Sequence, residues 1–277
     1  MKQPDTISID PGMDYVLSDY GGLPRGYLTE LSGPDGGGKT TLALKYVAQA
    51  QKMGLKVGYM DIEYALNDDH AAHFGVDVKK IDFGGYPPSA EAQFTEMIRM
   101  CRDKYGLVVL DSVPALMPTS IIEKLDEQLE DEAFGSQSGG QYGRIAAFMS
   151  NTLPLLIREA APPFGNTALL FINQLRANIR KFGMGPEAVP YGGYALKHYS
   201  SVRVEIRRIA DIKYGTMGVI GFRARVRCPH KSRFAPPKRD GFIDIIFHHQ
   251  APSLEDINKR KKNKVGVIVT PTKIGED

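Results

Sequence analysis

The stretch "GYLTELSGPDGGGKTTLALKYVAQAQKMG", residues 26–54, leaves this chain few folds to choose from. Residues 26–32 read as a short strand, and "TTLALKYVAQAQKMG" carries apolar residues at helical spacing until Gly54. Between them Gly33, Pro34, Asp35, Gly36, Gly37, Gly38, Lys39 and Thr40 fit the phosphate-loop pattern G-x-x-x-x-G-K-[ST]. The pattern sits after a strand and before a helix, as its mechanism requires. Glycines let backbone N–H groups turn toward phosphates at the helix N-terminus, Lys39 reaches the β and γ phosphates, and the Thr40 hydroxyl is placed for magnesium. Such a loop identifies a fuel and leaves its use open.

The chain continues the alternation that the loop begins. "KVGYMDIE" (56–63) reads as a second strand, "ALNDDHAAHFG" as a short helix, residues 90–104 as a helix capped by Ser89, "GLVVLDS" as a buried strand and "TALLFINQ" (167–174) as another. Strand and helix in turn build a parallel sheet covered by helices. A helix from about Tyr142 to Glu159 contains Pro154, which predicts a kink or a break. Two segments resist packing on composition: residues 112–143, acidic and then rich in Gly, Ser and Gln, and the twenty or so residues after Gln174. Toward the end "HYSSVRVEIRRIADIKYG", "VIGFRARVRC" and "GFIDIIFHH" alternate apolar and polar residues, which predicts antiparallel strands extending the sheet.

With 277 residues, 42% hydrophobic and 24% charged, the composition is that of a globular protein. Cys101 and Cys228 form no disulfide framework or zinc spacing. No run approaches the ~18–20 apolar residues of a membrane span, and the expected compartment is the cytoplasm. The net charge of +3 says less than its distribution, because residues 223–239 carry seven Arg or Lys and no acid, a surface open to a polyanion.

Asp111 ends the apolar run "LVVLD", which puts a carboxylate at the sheet edge beside the loop, where it can hold magnesium through water. Glu63 ends "YMDIE" at the same edge and can orient and deprotonate an attacking water. Asp61 lies two residues earlier on the same face, so spacing leaves open which acid is the base. His70 and His73, three apart on a helix, and the His248-His249 pair lack a further ligand nearby, and a surface or stacking role is expected.

Several separated segments, in order and with matching spacing, resemble the bacterial RecA recombinase family. They are "GGLPRGYLTELSGP", "GPDGGGKTTLALKYVAQAQKMGLKVGYMDIEYALNDDHAAHFGVD", "VVLDSVPALMP", "LLFINQLRANI" and "GGYALKHYSSVRVEIRRI", and the likeness covers roughly residues 6 to 245. The resemblance implies an α/β fold with a RecA-like phosphate-loop ATPase core: a mainly parallel twisted sheet flanked by helices, with antiparallel C-terminal strands. It also implies ATP and Mg2+ as ligands, Glu63 as the catalytic base rather than Asp61, and Lys39 and Gln174 as catalytic partners. Gly33 to Thr41, with His70 in the place of an adenine-stacking tyrosine and Asn67 in that of an adenine-contacting Asp, would hold the nucleotide. Asp111 would take the magnesium side with Thr40, and Lys231 and Arg233 would reach the neighbouring subunit's nucleotide. Residues 121–143 and 175–193 occupy the places of the family's two DNA-binding loops, with Arg144, Arg176, Asn178, Ile179, Arg180, Gly192 and Gly193 as DNA contacts.

What this implies for function is an ATP-dependent recombinase. It would bind single-stranded DNA as a helical filament of its own copies, hydrolyse ATP and promote pairing with homologous double-stranded DNA in recombination and repair. A single-strand-binding protein is a candidate partner, and no membrane is involved. The alternatives are a short RecA-like protein of the sort found in phages, which anneals strands or acts as a mediator without strand invasion, and a ring-shaped helicase motor. The expected organisation is a lead-in over residues 1–25 lacking the family's polymerisation helix, a core over 26–250 and a basic tail over 251–277.

Overall fold

The computed structural model describes residues 3–130, 141–177, 188–190, 193–213, 216, 218–229, 232–236 and 238–246. Strands are β1 (Thr6–Ile7), β2 (Leu23–Pro24), β3 (Leu28–Gly33), β4 (Val57–Asp61), β5 (Ile81–Asp82), β6 (Leu107–Asp111), β7 (Ala168–Ala177), β8 (Ala188–Pro190), β9 (Val202–Lys213), β10 (Val219–Cys228) and β11 (Arg239–Ile246). Helices are α1 (Pro11–Leu17), α2 (Lys39–Lys52), α3 (Asp68–His73), α4 (Ala90–Arg102), α5 (Thr119–Glu130), α6 (Gln141–Ala160) and α7 (Gly193–Tyr199).

The main sheet runs β11-β10-β9-β3-β7-β6-β4-β5, with β8 paired to β7. Every pairing from β9 through β3, β7, β6 and β4 to β5 is parallel. Strands such as β3 and β6 are buried at every position, which is why they read as continuous rather than alternating apolar runs. Alternate side chains feed two cores. Leu31, Leu170, Ile172 and Val204 pack under α2, while Leu28, Phe171, Leu169 and Leu110 pack with α4 and α6 residues such as Met97, Met149 and Leu153. The expected lead-in joins the first core: Ile7, Met13, Val16 and Leu17 belong to it, and α1 packs on β10 and β11.

Three expectations change and a fourth, a kink or a break at Pro154, loses its second alternative. The strand holding Val202 is parallel to β3, its partner beside the phosphate loop, so the antiparallel extension starts only at β10. Alternation of polarity cannot reveal strand direction. Residues 112–143 are not wholly irregular, because Thr119–Glu130 is helical; Ile121 is buried and Leu125 follows one turn later at the spacing of an amphipathic face. Pro154 does not break α6. Its missing N–H would have met the carbonyl of Ser150, which is exposed and can bond water, while buried Leu153 and Leu156 pin the helix on the other side. Finally, the segment after Gln174 is partly sheet, since β7 continues to Ala177 and pairs antiparallel with β8 through Leu175↔Pro190 and Arg176↔Val189. His248 and His249 lie outside the described residues.

The basic run from Arg223 is not a bare cationic face. On β10, Phe222, Ala224, Val226 and Cys228 turn into the core and the arginines turn out. Arg223 makes two bonds to Asp244 (2.7 and 2.8 Å), Arg225 pairs with Asp240, and Arg227 pairs with Glu205 (2.8 Å). Acids on the flanking strands, matched to the arginines by sheet register, neutralise the ladder. Each pair is part-exposed, so Arg225→Ala is expected to cost about 0.2–1 kcal/mol. Thermal unfolding should shift by a few degrees at most.

Candidate nucleotide-binding site

The site forms where β3, β4 and β6 end at one edge of the sheet, beside Gln174 of β7. Gly33 closes β3 against β9, where a Cβ would fall 2.2 Å from the Ile206 carbonyl oxygen. Gly38 caps α2 at φ 90°, and a Cβ there would meet Ile245 Cδ1 at 2.4 Å. Both positions therefore demand glycine, and the loop they bracket is a backbone cradle at a helix N-terminus. Lys39, buried, turns its Nζ back into this cradle, donating to the carbonyls of Gly33 (3.1 Å) and Pro34 (2.9 Å), 4.0 Å from exposed Asp35. Burial lowers its pKa, partly offset by Asp35, Asp111 and Glu63.

Two hydroxyl groups converge on Asp111. Thr40 Oγ1 (2.9 Å) and the buried Tyr59 hydroxyl (2.8 Å) both donate to its Oδ2. Burial raises the Asp111 pKa; the two hydroxyl donors oppose this, and Glu63 and Asp61 add to it. Glu63 lies two residues beyond the end of β4, exposed, and its carboxylate accepts from the hydroxyl of Ser112, the residue after Asp111. Asp61 does something different: it ends β4 level with Asp111 and accepts from the backbone N–H of Ala65 (3.2 Å) and Leu66 (3.0 Å), capping the turn. The two acids that spacing left equivalent thus have separate surroundings, because the strand ends before Glu63 and its alternation stops there.

Gln174 sits on β7 level with Gly33 in the parallel register, and its backbone N–H donates to Asn173 Oδ1 (2.9 Å). His70, at the start of α3, lies 3.4 Å from the Thr41 hydroxyl and edge-on to Phe74. Asn67 caps the same helix, accepting from the His70 N–H at 2.8 Å. His73 also packs edge-on to Phe74.

The remaining residues named from the sequence stand apart from this cluster or beyond the described residues. Arg144 on α6 donates to the carbonyl of Ser120 (3.2 Å) and so ties α6 to α5. Arg233 is exposed, with its backbone N–H on the Ser201 carbonyl. Arg176 lies on β7 opposite Val189, and Gly193 opens α7. Asn178, Ile179, Arg180, Gly192 and Lys231 lie outside the described residues. Sequence reading missed Tyr59 and Ser112, which are recruited by strand neighbours distant in the chain.

The residues present fit a magnesium nucleotide. The glycine-rich loop faces open space at Gly36, and a hydroxyl and a carboxylate stand together at the helix start. Among the described residues no group of three or more His, Cys, Asp or Glu could hold a metal by itself. Among the same residues, no helix is long and apolar enough to cross a membrane.

A mainly parallel sheet with this loop between a central strand and the helix that follows it defines a phosphate-loop protein with a RecA-like core. The chain belongs to the RecA family: the family model for the RecA N-terminal domain matches residues 5–251. It is 39% identical over 237 residues to the protein RecA of Nautilia profundicola, covering 85% of this chain and 63% of that one. It is 36% identical over 265 residues to that of Aquifex pyrophilus, covering 95% and 69%. To that of Thermus aquaticus it is 38% identical over 239 residues, covering 85% and 65%. The chain therefore spans a little under two thirds of the first of these relatives.

Proposed function

We propose that the protein is a DNA-dependent ATPase that assembles on single-stranded DNA as a helical filament and promotes pairing and strand exchange with a homologous duplex. The observation that carries this reading is the register of β3 and β7, which sets Gln174 level with Gly33 at the mouth of the phosphate loop. A glutamine there can report the state of the γ phosphate to the segment that follows it.

In this reading the backbone of Gly33 to Thr41 cradles the phosphates and the Lys39 ammonium moves from the loop carbonyls onto the β and γ oxygens. Thr40 and Asp111 would hold magnesium, Asp111 by way of water. Magnesium, when bound, offsets the charge that builds on the phosphates. His70 stacks on the adenine beside Thr41. Glu63, held by Ser112, orients the attacking water and takes its proton. Lys231 and Arg233 reach the nucleotide of the next subunit, and both are cations suited to a phosphate. On the DNA side, Arg144, Arg176 and Arg180 position phosphates, Asn178 bonds to the strand, Ile179 wedges between bases, and Gly192 and Gly193 lie along the backbone. The proposed ATPase core spans residues 26–250, with β1 and α1 of the lead-in packed onto it.

The test is direct. Wild-type protein should show single-stranded DNA affinity that rises with a non-hydrolysable ATP analogue, filaments by electron microscopy, and joint molecules with a supercoiled duplex. Annealing without joint molecules would reduce the function to strand annealing, and closed rings on DNA would replace it with a helicase motor. Glu63→Gln should keep ATP and DNA binding while slowing hydrolysis by about 10²–10⁴-fold, the usual contribution of a positioned base. Hydrolysis at the wild-type rate would remove Glu63 from the mechanism.

A further inference from the structure

Beneath the site, on the sheet face away from α2, three polar side chains are buried together in the central strands. Glu30 of β3 is 1% exposed, Arg203 of β9 is 8% exposed and Asn173 of β7 is fully buried. The carboxylate of Glu30 divides between its neighbours. One oxygen accepts from Arg203 Nε at 2.6 Å, and the other accepts from Asn173 Nδ2 at 2.8 Å. Asn173 Oδ1 in turn accepts from the backbone N–H of Gln174 at 2.9 Å. The result is an unbroken donor and acceptor chain from β9, across β3, to the peptide of Gln174.

An ion pair in such a place does little for stability compared with well-packed apolar residues, since desolvation offsets most of its Coulomb gain. What it does impose is geometry. Glu30 is level with Arg203 in the β3–β9 register, and three residues further along each strand Gly33 packs against the Ile206 carbonyl. A movement of the Gly33 end of β3 therefore cannot occur without either carrying β9 and Asn173 with it or breaking buried hydrogen bonds. The start of β9 follows α7 closely: Ser200 N–H bonds to Leu196, and Ser201 N–H bonds to Leu28 of β3. Both ends of the 177–193 connection are thereby tied to the strand that carries the phosphate loop.

We propose that Glu30, Arg203 and Asn173 are positioning residues that make the ends of β3, β7 and β9 respond to nucleotide as one unit. This rests on the reading that the phosphate loop signals through Gln174. The three residues touch neither nucleotide nor DNA; they act through Gly33, Gln174 and the start of β9.

Hydrogen exchange read by mass spectrometry tests it without DNA. In the wild type, a magnesium ATP analogue should slow exchange across residues 33–41, 170–177 and 198–206, by about tenfold or more in each, as expected when local opening is suppressed. Glu30→Met combined with Arg203→Met replaces the pair by apolar chains of similar length, which buried sites commonly tolerate. That variant should bind the analogue within about threefold of wild type, and protect 33–41 but neither of the distant segments. Asn173→Leu should lose the response at 170–177 and keep it at 198–206, a split that general loosening of the fold would not produce. The inference is overturned if the wild type shows no change outside 33–41, or if the double variant transmits the full pattern. DNA affinity of the wild type with and without the analogue is measured beside it: no nucleotide effect there removes the recombinase reading, while the exchange pattern still judges the network.

Discussion

Lys39→Ala is expected to abolish the increase in single-stranded DNA affinity that an ATP analogue produces, and to slow ATP hydrolysis by about 10²–10³-fold, the cost of removing one preorganised charge from the transition state. The geometry behind this is a single ammonium inside the glycine cradle, bonded to the carbonyls of Gly33 and Pro34. No other lysine or arginine among the described residues is hydrogen-bonded to the loop. The fold should survive the change. Burial lowers the Lys39 pKa from its ordinary 10.5, so the folded state binds its proton less well than the unfolded chain does. Its linkage contribution is therefore stabilising above the ordinary value and is lost as pH falls through the lowered one, which means that near neutral pH the buried charge opposes folding. Lost DNA coupling with thermal unfolding no lower than that of the wild type is the expected pair of results. DNA binding that stays nucleotide-stimulated and salt-resistant in Lys39→Ala would break the link between loop and DNA.

The second large effect is structural. Arg203→Met by itself leaves the Glu30 carboxylate, 1% exposed, with Asn173 as its remaining side-chain donor among the described residues. Removing one member of a buried ion pair costs about 3–5 kcal/mol, because the other charge stays desolvated. At about 2–4 °C per kcal/mol for a domain of this size, thermal unfolding should fall by roughly 6–20 °C. Adding Glu30→Met should recover most of that loss. Calorimetry on the two variants decides the matter: a loss below about 1 kcal/mol for Arg203→Met would mean that solvent reaches Glu30.

Much of the fold was legible because its signals are local. The strand before Gly33, the helix after Lys39 and the buried run ending at Asp111 each announce themselves within a dozen residues, and their alternation dictates a parallel sheet. The loop residues were legible for a related reason, since glycine answers to close backbone packing at Gly33 and to a left-handed conformation at Gly38. The helix Thr119–Glu130 was obscured by its acids, although Ile121 and Leu125 carried a helical period. The parallel setting of β9 had no local signal at all, because pairing direction depends on the route of the chain through α7.

The electrostatic surroundings belong to tertiary structure. Seven basic residues between 223 and 239 suggested an anion-binding face, yet Asp244, Asp240 and Glu205 on the flanking strands claim the three arginines of β10. The division of labour between Asp61 and Glu63 was likewise open to spacing, and strand length decided it, with Asp61 capping a turn and Glu63 bonded to Ser112. The sequence by itself determined the phosphate loop, the layered α/β architecture and the family, all of which follow from short-range pattern. Only the tertiary structure decided which acids meet which bases, that Tyr59 serves Asp111, and that Glu30, Arg203 and Asn173 share one buried chain of hydrogen bonds. Those contacts join residues up to 173 positions apart, and the sheet register that sets them is fixed by the packing of the whole core.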